Sequence, residues 1–264
     1  MKKISIIINC YNSEKYLQQT LESILDQEYH NWEIIFWDNQ STDNSKIIFQ
    51  NYNDKRLRYF YAKEHTTLYK ARNLACEHAV GDYLAFIDCD DWWEKDFLNS
   101  RKFYFEQEKF DFFYSNCLHF FQKSKKFEKF TSINLESGKI FDFLSKNYLV
   151  KISCFIIKRS IFLREKKFNN NYNTIGDFEY VMRIANKYLG HATQKPLANI
   201  RFHEKNFLDN NRKIFFKEYL DWYKNINFNN LDYSKNKHLF IYELCRLRFI
   251  SILPKLFINI FKKK

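Results

Sequence analysis

Short apolar runs alternate with helical patterns in the first part of the chain, and this alternation constrains the fold more than any other feature. The apolar runs are rich in β-branched and aromatic side chains, as buried strands are. They cover residues 4–8, 32–37, 57–61 and 83–87. The helical patterns between them cover residues 13–26, 41–50 and 69–79. This order predicts an α/β fold, with a mostly parallel sheet and helices on both of its faces.

Beyond residue 94 the pattern is weaker, because Phe, Tyr and Lys mix without a clean period. We expect a helix to about residue 107 and strands at 112–115 and 151–158. A further helix is predicted from Asp177 to Gly190.

Polar side chains follow three of the first four strands, at the point where each strand ends. They are Asn9, Tyr11, Asp38, Asn39, Asp88 and Asp90. In parallel sheets, ligands bind beyond the carboxyl ends of the strands, where loops and helix N-termini converge. We therefore expect these side chains to meet in one site.

Composition narrows the choice of partner. The chain has 264 residues, enough for one large domain with a tail, and a formal net charge of +12 that favours an anionic partner. No nucleic-acid recognition motif accompanies this charge, so we expect no nucleic acid to bind.

The six cysteines form no Cys-x-x-Cys pair, which favours reduced thiols in the cytoplasm. We expect neither a signal peptide nor a membrane span.

The segment "YLAFIDCDDWW" places Asp88, Asp90 and Asp91 at the end of an apolar strand. Carboxylates in an Asp-x-Asp pattern offer hard oxygen ligands to Mn²⁺ or Mg²⁺, and such a site binds a nucleotide diphosphate. Alternatively, Asp90 and Asp91 cap a following helix by accepting hydrogen bonds from its free N–H groups. The acids alone leave both interpretations open.

The segments "NCYN", "WDNQSTDNS" and "YKARNLACEHAVGDYLAFIDCDDWW" together resemble the family 2 glycosyltransferases of the GT-A fold. Members of that family show an Ala-Arg-Asn helix start and a Gly-Asp/Glu-Tyr-x-x-Phe-x-Asp-x-Asp-Asp block. The resemblance covers about residues 1–110 and returns at 174–183 and 201–203. It implies a GT-A fold with a nucleotide-sugar-binding half at 1–110, an acceptor-binding and catalytic-base half at 111–205, and a helical C-terminal extension at 206–264.

On the nucleoside side, the resemblance implies that Tyr11 stacks on the base, with Asn9 and Asn39 close by. Many relatives carry Asp where Asn39 stands. An amide oxygen can still accept a hydrogen bond from uracil, so a uridine donor is expected. Asp38 either contacts the base or holds its loop by accepting backbone hydrogen bonds.

On the diphosphate side, the resemblance implies that Arg72 faces the phosphates, a task suited to a guanidinium group. Asp88 would contact ribose or metal-bound water. Asp90 would coordinate Mn²⁺ or Mg²⁺, and His203 of the "RFH" segment would approach the metal or the diphosphate. Asp91 is expected to cap a helix.

The segment "IGDFEYVMR" resembles the part of the family that carries the catalytic base, and Asp177 takes that role. Gly176 stands where many relatives have Glu. Glu179 is the competing base, and Arg183 is expected to brace these acids. Trp92 and Trp93 would pack on the acceptor side or in the core.

The end of the chain, residues 243–264, is apolar but interrupted by basic residues and Pro254. It suits a helix lying on an anionic membrane surface, or one that packs on the domain or across a homodimer.

The resemblance as a whole implies an inverting, metal-dependent transfer of a sugar from a nucleotide-diphosphate donor. The acceptor would be a surface glycan or lipid-linked molecule, such as lipopolysaccharide, lipooligosaccharide or capsule, at the cytoplasmic face of the cell membrane. The alternative is a non-catalytic nucleotide-sugar-binding or scaffold protein of the same fold.

Overall fold

The computed structural model describes residues 1–203 and 211–252, and a seven-stranded sheet forms its centre. The strands are β1 (Ile4–Cys10), β2 (Trp32–Asp38), β3 (Leu57–Tyr61), β4 (Tyr83–Asp88), β5 (Trp92–Trp93), β6 (Phe112–Ser115), β7 (Leu118–Phe121), β8 (Lys126–Lys129), β9 (Ile156–Lys158), β10 (Gly190–Thr193) and β11 (Ala198–Phe202). The central sheet has the order β10-β6-β9-β4-β1-β2-β3. Its β9 is antiparallel to both neighbours, and the other pairs are parallel. The mostly parallel sheet expected from the sequence is confirmed.

The helices cover both faces of this sheet. They are α1 (Glu14–Leu25), α2 (Ser45–Gln50), α3 (Leu68–Glu77), α4 (Lys102–Gln107), α5 (Phe141–Lys146), α6 (Arg159–Arg164), α7 (Gly176–Ala185), α8 (Arg212–Asn225), α9 (Leu231–Lys235) and α10 (Lys237–Ile252). In β1, Ile6 and Ile8 belong to the apolar core that includes α1, and Ile7 belongs to the core that includes α3. Successive side chains of a strand point to opposite faces, so a continuous apolar run is buried on both sides.

A second, four-stranded sheet has the order β5-β11-β7-β8. Strand β5 begins four residues after the end of β4, and it pairs with β11 through Trp92 opposite Asn199. The residues between the two strands therefore connect the edge of the large sheet directly to the small one.

Several predicted elements differ from the structure in their bounds, among them the helix predicted at 41–50, which begins at Ser45. The strand predicted at 151–158 begins only at Ile156, because Ile152–Cys154 forms a 3-10 turn. The helix predicted to reach Gly190 ends at Ala185, and Gly190 instead starts β10. A Cβ at Gly190 would lie 2.6 Å from the Phe112 ring, so the close approach of β10 to β6 requires glycine there.

The C-terminal helices α8 and α10 pack against each other. The ring centroids of Trp222 and Phe240 lie 5.3 Å apart, and Arg212 donates a hydrogen bond to the Ile250 carbonyl. Of the predicted tail at 243–264, the structure describes the part up to Ile252, and Pro254 lies outside the described residues. In the part of the chain that is described, no helix combines the length and the apolar character of a membrane span.

Candidate active site

The polar ends of three strands meet at one edge of the seven-stranded sheet. In the register of the sheet, Asn9 pairs with Asp88 and Cys10 pairs with Asp38. We call residues 88–91, which leave this edge and lead into β5, the acid loop. The strand ends therefore bring the expected polar residues together, and the acid loop links them to the four-stranded sheet.

Asp88 is paired with Arg72, which α3 presents from the helical layer. The Nη2 group of Arg72 donates a hydrogen bond to Oδ1 of Asp88. The arginine side chain is only 3% exposed, whereas that of Asp88 is 38% exposed. Desolvation raises the pKa of Asp88 while the Arg72 guanidinium opposes the rise and Asp90 adds to it. Arg72 thus lies behind Asp88, and its contact with a diphosphate stays a prediction.

Asp90 lies beside His203, the first residue after β11. Oδ2 of Asp90 and Nε2 of His203 are 3.0 Å apart, and both side chains are partly exposed. A carboxylate and an imidazole at this distance can bind one divalent cation. Among the described residues, no group of three or more His, Cys, Asp or Glu side chains could hold a metal ion. The pair therefore fits Mg²⁺ or Mn²⁺ only as a site that substrate phosphates and water complete.

The prediction that Asp91 caps a helix is wrong. The acid loop continues into β5, so no helix start is available next to it. Asp91 instead accepts hydrogen bonds from the Ser153 hydroxyl at 2.6 Å and the Arg201 amide at 2.9 Å. Desolvation raises the pKa of Asp91 well above its usual range, and repulsion from Asp90 and Asp88 adds to the rise. Asp91 therefore ties the acid loop to the four-stranded sheet.

Asp38 holds its own loop. This carboxylate is fully buried, and it accepts hydrogen bonds from the Ser41 amide at 2.7 Å and the Tyr59 hydroxyl at 2.6 Å. Of the two roles considered for Asp38, the structure supports the second. Asn39 is also buried, and its amide group donates to the Thr66 carbonyl at 2.9 Å and accepts from the Thr66 amide at 3.2 Å. The hydrogen bond from Asn39 to a base stays a prediction.

Tyr11 and His65 form an exposed aromatic surface at the end of the site where the base is expected. The Tyr11 ring is 51% exposed, and its centroid lies 4.3 Å from that of His65. A cavity of about 490 Å³ opens beside His65, and its walls include Thr66 and Lys70. In the described part of the chain, the buried Oδ1 atom of Asn9 has no hydrogen-bond partner. An aromatic face and a nearby cavity are suited to a planar base.

Asp177 is positioned by Tyr69. The Tyr69 hydroxyl donates a 2.6 Å hydrogen bond to Oδ1 of Asp177, in the first turn of α7. Desolvation raises the pKa of Tyr69 well above its usual range, and the nearby Asp177 contributes, so the phenol stays a donor. A Cβ at Gly176 would lie 2.7 Å from Cε2 of Tyr69. The glycine that departs from the family pattern therefore makes room for the ring that holds the carboxylate.

Glu179 and Arg183 form a brace on α7. Arg183 donates from Nε to Oε1 of Glu179 at 2.7 Å and from Nη2 to Oε2 at 3.0 Å, and Nη2 also donates to the Lys167 carbonyl. The expected bracing role of Arg183 is observed for Glu179. Because both oxygens of Glu179 accept from one guanidinium, this acid is a poorer candidate base than Asp177.

The two tryptophans after the acid loop have different environments. Trp93 is 3% exposed and stacks on Phe97 with centroids 4.1 Å apart, so it belongs to the core. Trp92 is half-buried and meets the Phe120 ring edge to face at 5.5 Å. Trp92 lines a cavity of about 540 Å³.

Tyr69 and Ser153 support the site, but the sequence analysis did not select them. Tyr69 precedes Arg72 by three residues, so the two share one helix face, and this spacing is a signal that could have indicated Tyr69. Ser153 lies in a segment without clear periodicity and offers no such signal. Arg201 was noted only with His203, yet it is 4% exposed and its Nε donates to the Asp90 carbonyl at 2.8 Å.

The parallel sheet, the acid loop at its edge and the small second sheet define the class of the fold. The crystal structure of S. aureus TarS 1-349 in complex with UDP-GlcNAc matches 94% of this chain and 72% of that chain, with a TM-score of 0.69 and 18% sequence identity. At this identity the likeness shows the GT-A fold alone.

The family follows from a second comparison. The model of glycosyl transferase family 2 matches residues 5–171, which is more than half of the chain. The chain therefore belongs to glycosyl transferase family 2.

Similar proteins occur in bacterial surface-glycan synthesis. TuaG of Bacillus subtilis, a glycosyltransferase whose name assigns it to teichuronic acid biosynthesis, is 32% identical over 59% of this chain and 62% of its own length. The Escherichia coli glucosyltransferase WfaP, named for UDP-Glc and a GlcNAc-diphosphoundecaprenol acceptor, is 38% identical over 44% of this chain and 46% of its own length. The matched segments thus span less than two thirds of these relatives.

Proposed function

We propose that this protein is an inverting, metal-dependent glycosyltransferase that moves a sugar from a UDP-sugar to a surface glycan or a lipid-linked acceptor. The observation that carries the proposal is a continuous chain of contacts between the acid loop and the candidate base. Asp88 is bonded to Arg72, the Arg72 guanidinium lies 5.2 Å from the centre of the Tyr69 ring, and Tyr69 is bonded to Asp177. These contacts connect the part of the site where the diphosphate would leave with the part where the acceptor hydroxyl would lose its proton.

The donor would lie along the edge of the seven-stranded sheet. Tyr11 would stack on the base, while Asp38 and Asn39 keep the surrounding loops in place. Uridine is favoured because one similar protein is named for UDP-Glc and a protein of the same fold was crystallised with UDP-GlcNAc. Asp90 and His203 would hold Mn²⁺ or Mg²⁺ against the diphosphate. A cation bound there would neutralise the charge that develops on the leaving group.

The chemistry that remains for the protein is the removal of one proton. The acceptor oxygen forms a bond to the anomeric carbon while the bond from that carbon to the diphosphate breaks, and its electron pair leaves with the nucleotide. The proton of the acceptor hydroxyl passes to Asp177, which Tyr69 keeps oriented. A single displacement of this kind inverts the configuration at the anomeric carbon.

The first test is thermal stability against a panel of UDP-sugars, with and without Mn²⁺, because a ligand that binds only the native state raises the unfolding midpoint. We expect one donor to raise the midpoint in a manganese-dependent manner. Asp90→Ala should remove the dependence on manganese, whereas Asp26→Ala, which removes an exposed acid outside the acid loop, should keep it. Absence of any shift with every donor would contradict the proposal.

The scaffold alternative is tested by chemistry rather than by binding. A scaffold protein would show the same thermal shift but would release no UDP from the bound donor. Slow, manganese-dependent UDP release by the native protein, absent from Asp90→Ala, would exclude a purely non-catalytic role.

We also propose that the C-terminal helices approach an anionic membrane surface, where a lipid-linked acceptor would be found. Phe249 and Ile252 at the end of α10 are 47% and 72% exposed, and Arg248 lies beside them. Exposed apolar side chains next to a basic one suit such a surface. Flotation with vesicles rich in phosphatidylglycerol, but not with neutral vesicles, is the expected result. A homodimer contact would instead appear as a concentration-dependent mass in solution.

A further inference from the structure

A second cavity lies on the other side of the acid loop, between α1 and the four-stranded sheet. Its volume is about 540 Å³. Its walls carry the rings of Tyr16, Trp92, Phe120 and Phe127, with Lys15 and Lys125 at the sides and Arg201 between the rings. We call this cavity the aromatic cleft. Trp92 is expected on the acceptor side or in the core, but the reaction described above uses no residue of this cleft.

The register of the four-stranded sheet explains why these side chains share one face. Phe127 of β8 is opposite Phe120 of β7, and Phe120 is opposite Arg201 of β11. Trp92 of β5 is opposite Asn199, two residues before Arg201 and therefore on the same face. Residues directly opposite each other on neighbouring strands project to the same side. The sheet thus sets out a row of rings around a guanidinium.

Arg201 forms a rigid floor for the cleft. Its side chain donates to Gln122 at 2.7 Å and to Gln19 at 2.6 Å, and its guanidinium carbon lies 4.4 Å from the Tyr16 ring centre and 4.6 Å from that of Trp92. These contacts fix the charged group between aromatic faces, which is a favourable geometry for a cation. The positive charge is therefore positioned before any ligand arrives.

The rim of the cleft is aromatic and basic. Phe127 is 52% exposed, although its centroid lies only 4.7 Å from that of Phe120. The ammonium group of Lys125 lies 5.8 Å from the Phe120 ring centre, and that of Lys15 lies 5.1 Å from the Tyr16 ring centre. Among the lining residues that the structure describes, none is acidic. Exposed rings beside cations mark a surface that binds a ligand with flat apolar faces and negative charge.

The cleft is continuous with the reaction site. The Tyr16 ring lies 5.2 Å from the His203 ring, and His203 is the partner of Asp90. Arg201 also bonds the backbone of Asp90 through Nε. A chain molecule that enters the reaction site from this side would therefore pass through the cleft.

We propose that the aromatic cleft binds an anionic sugar unit of the acceptor glycan, one that carries a carboxylate or a phosphate group. The apolar faces of the sugar ring would stack on Trp92 and Phe127, and the anionic group would lie near Lys125 and Lys15. This inference rests on the proposed function, since it treats the bound glycan as the acceptor. It adds to that function a class of acceptor and the residues that select it.

The test compares three probes in the presence of UDP and Mn²⁺. A hyaluronan tetrasaccharide carries carboxylates, a glycerol phosphate trimer carries phosphates, and chitotetraose is neutral. We expect calorimetric titration to detect tighter binding of one of the anionic probes than of chitotetraose. The anionic probe that binds more tightly identifies the acidic group, and its affinity should fall as the salt concentration rises.

Two matched pairs of variants locate the binding. Lys125→Glu should weaken binding of the preferred probe by roughly tenfold. Lys123→Glu makes the same charge change on the same hairpin but outside the cleft, so it should have a much smaller effect. Phe127→Ala should weaken it by a similar factor, and Phe103→Ala should not, although Phe103 is 64% exposed. Equal losses in Lys125→Glu and Lys123→Glu would overturn the inference, as would equal binding of chitotetraose.

The same variants separate this inference from the proposed function. The manganese-dependent thermal shift with a UDP-sugar should be unchanged in Lys125→Glu and Phe127→Ala, because the residues proposed to bind the donor do not line the cleft. A native protein that shows the donor shift but no preference for an anionic probe contradicts the cleft alone. A native protein that prefers the anionic probe but shows no donor shift contradicts the proposed function, and with it the role of the bound glycan as acceptor, but not the binding of an anionic glycan in the cleft.

Discussion

The acid loop and the aromatic cleft both contact Arg201. The acids of the loop are bonded to other protein groups, whereas several side chains of the cleft are exposed. Each acid of the loop already has a protein partner: Arg72 for Asp88, His203 for Asp90 and Ser153 for Asp91. At the rim of the cleft, Phe127 is half exposed, and Lys15 and Lys125 are exposed.

This difference separates two kinds of specificity. Groups that are buried and bonded to each other keep one geometry, which suits chemistry that is the same for every substrate of the enzyme. Exposed side chains on a hairpin can change without cost to the core, which suits recognition of a variable acceptor. We therefore expect substitutions in the acid loop to affect turnover, and stability where they break the Asp88–Arg72 pair, whereas substitutions in the cleft should affect acceptor binding alone.

The largest expected effect is that of Asp90→Ala. This change removes the carboxylate that would hold the cation, and turnover should fall roughly a thousandfold or more. The side chain is partly exposed and pairs with an imidazole, so the free energy of unfolding should change by less than about 1 kcal/mol. UDP release in the presence of acceptor and chemical denaturation provide the two measurements. Full turnover in a folded variant would remove the metal role from Asp90.

The second prediction concerns the base. Asp177→Asn keeps the hydrogen bond from Tyr69 but cannot accept a proton, so transfer should fall roughly a hundredfold to ten-thousandfold. The manganese-dependent thermal shift with the donor should persist. Glu179→Gln is the matched control, and it should loosen the contact with Arg183 without a comparable loss of transfer. The opposite ranking of the two variants would assign the base to Glu179.

The third prediction compares stability in the two regions. Asp88→Ala leaves the buried Arg72 guanidinium without its carboxylate, and we expect a loss of about 3 kcal/mol in the free energy of unfolding. Phe127→Ala removes a half-exposed ring and should cost less than about 1 kcal/mol. Urea denaturation of both variants measures the difference. Similar losses in the two would mean that the cleft is part of the core, contrary to the comparison above.

The sequence predicts the polar edge of the seven-stranded sheet well, because the strands there are continuous apolar runs and the polar residues stand at the strand ends. Strand β3 begins and ends where the pattern predicts, and the residues after β1, β2 and β4 do meet. Sequence position alone does not decide what a polar side chain does there. Asp38 and Asn39 stand in the expected places, but their hydrogen bonds go to protein groups.

The aromatic cleft is not predicted from the sequence because its residues come from distant parts of the chain. Trp92, Phe120 and Arg201 are brought together by the register of short strands that have no clear alternation, and Tyr16 reaches Arg201 from α1. The same reason explains Asp91, for which a helix cap was expected. Its partner Ser153 is far away in sequence, and no local sequence pattern predicts a contact that depends on tertiary packing.

The smallest expected effect is a pH dependence on the reverse face of the cleft sheet. His119 of β7 alternates with Phe120, packs between Phe130 and Phe202, and has a buried Nε2 atom without a hydrogen-bond partner in the described residues. Desolvation lowers the pKa of His119 to about 4, and the nearby Lys151 adds to the decrease. In the unfolded chain the pKa of the imidazole is about 6.5.

Because the unfolded state then binds more protons than the folded state between these two pKa values, stability should fall as the pH falls through this range. From pH 7 to pH 5.5 the contribution of His119 to this loss is about 1 kcal/mol. His119→Phe should remove that contribution, whereas replacing the exposed His238 with Gln should leave it intact. Urea denaturation at the two pH values measures the slope. If His119→Phe retains the full slope, other groups carry the pH dependence of stability and His119 does not contribute to it.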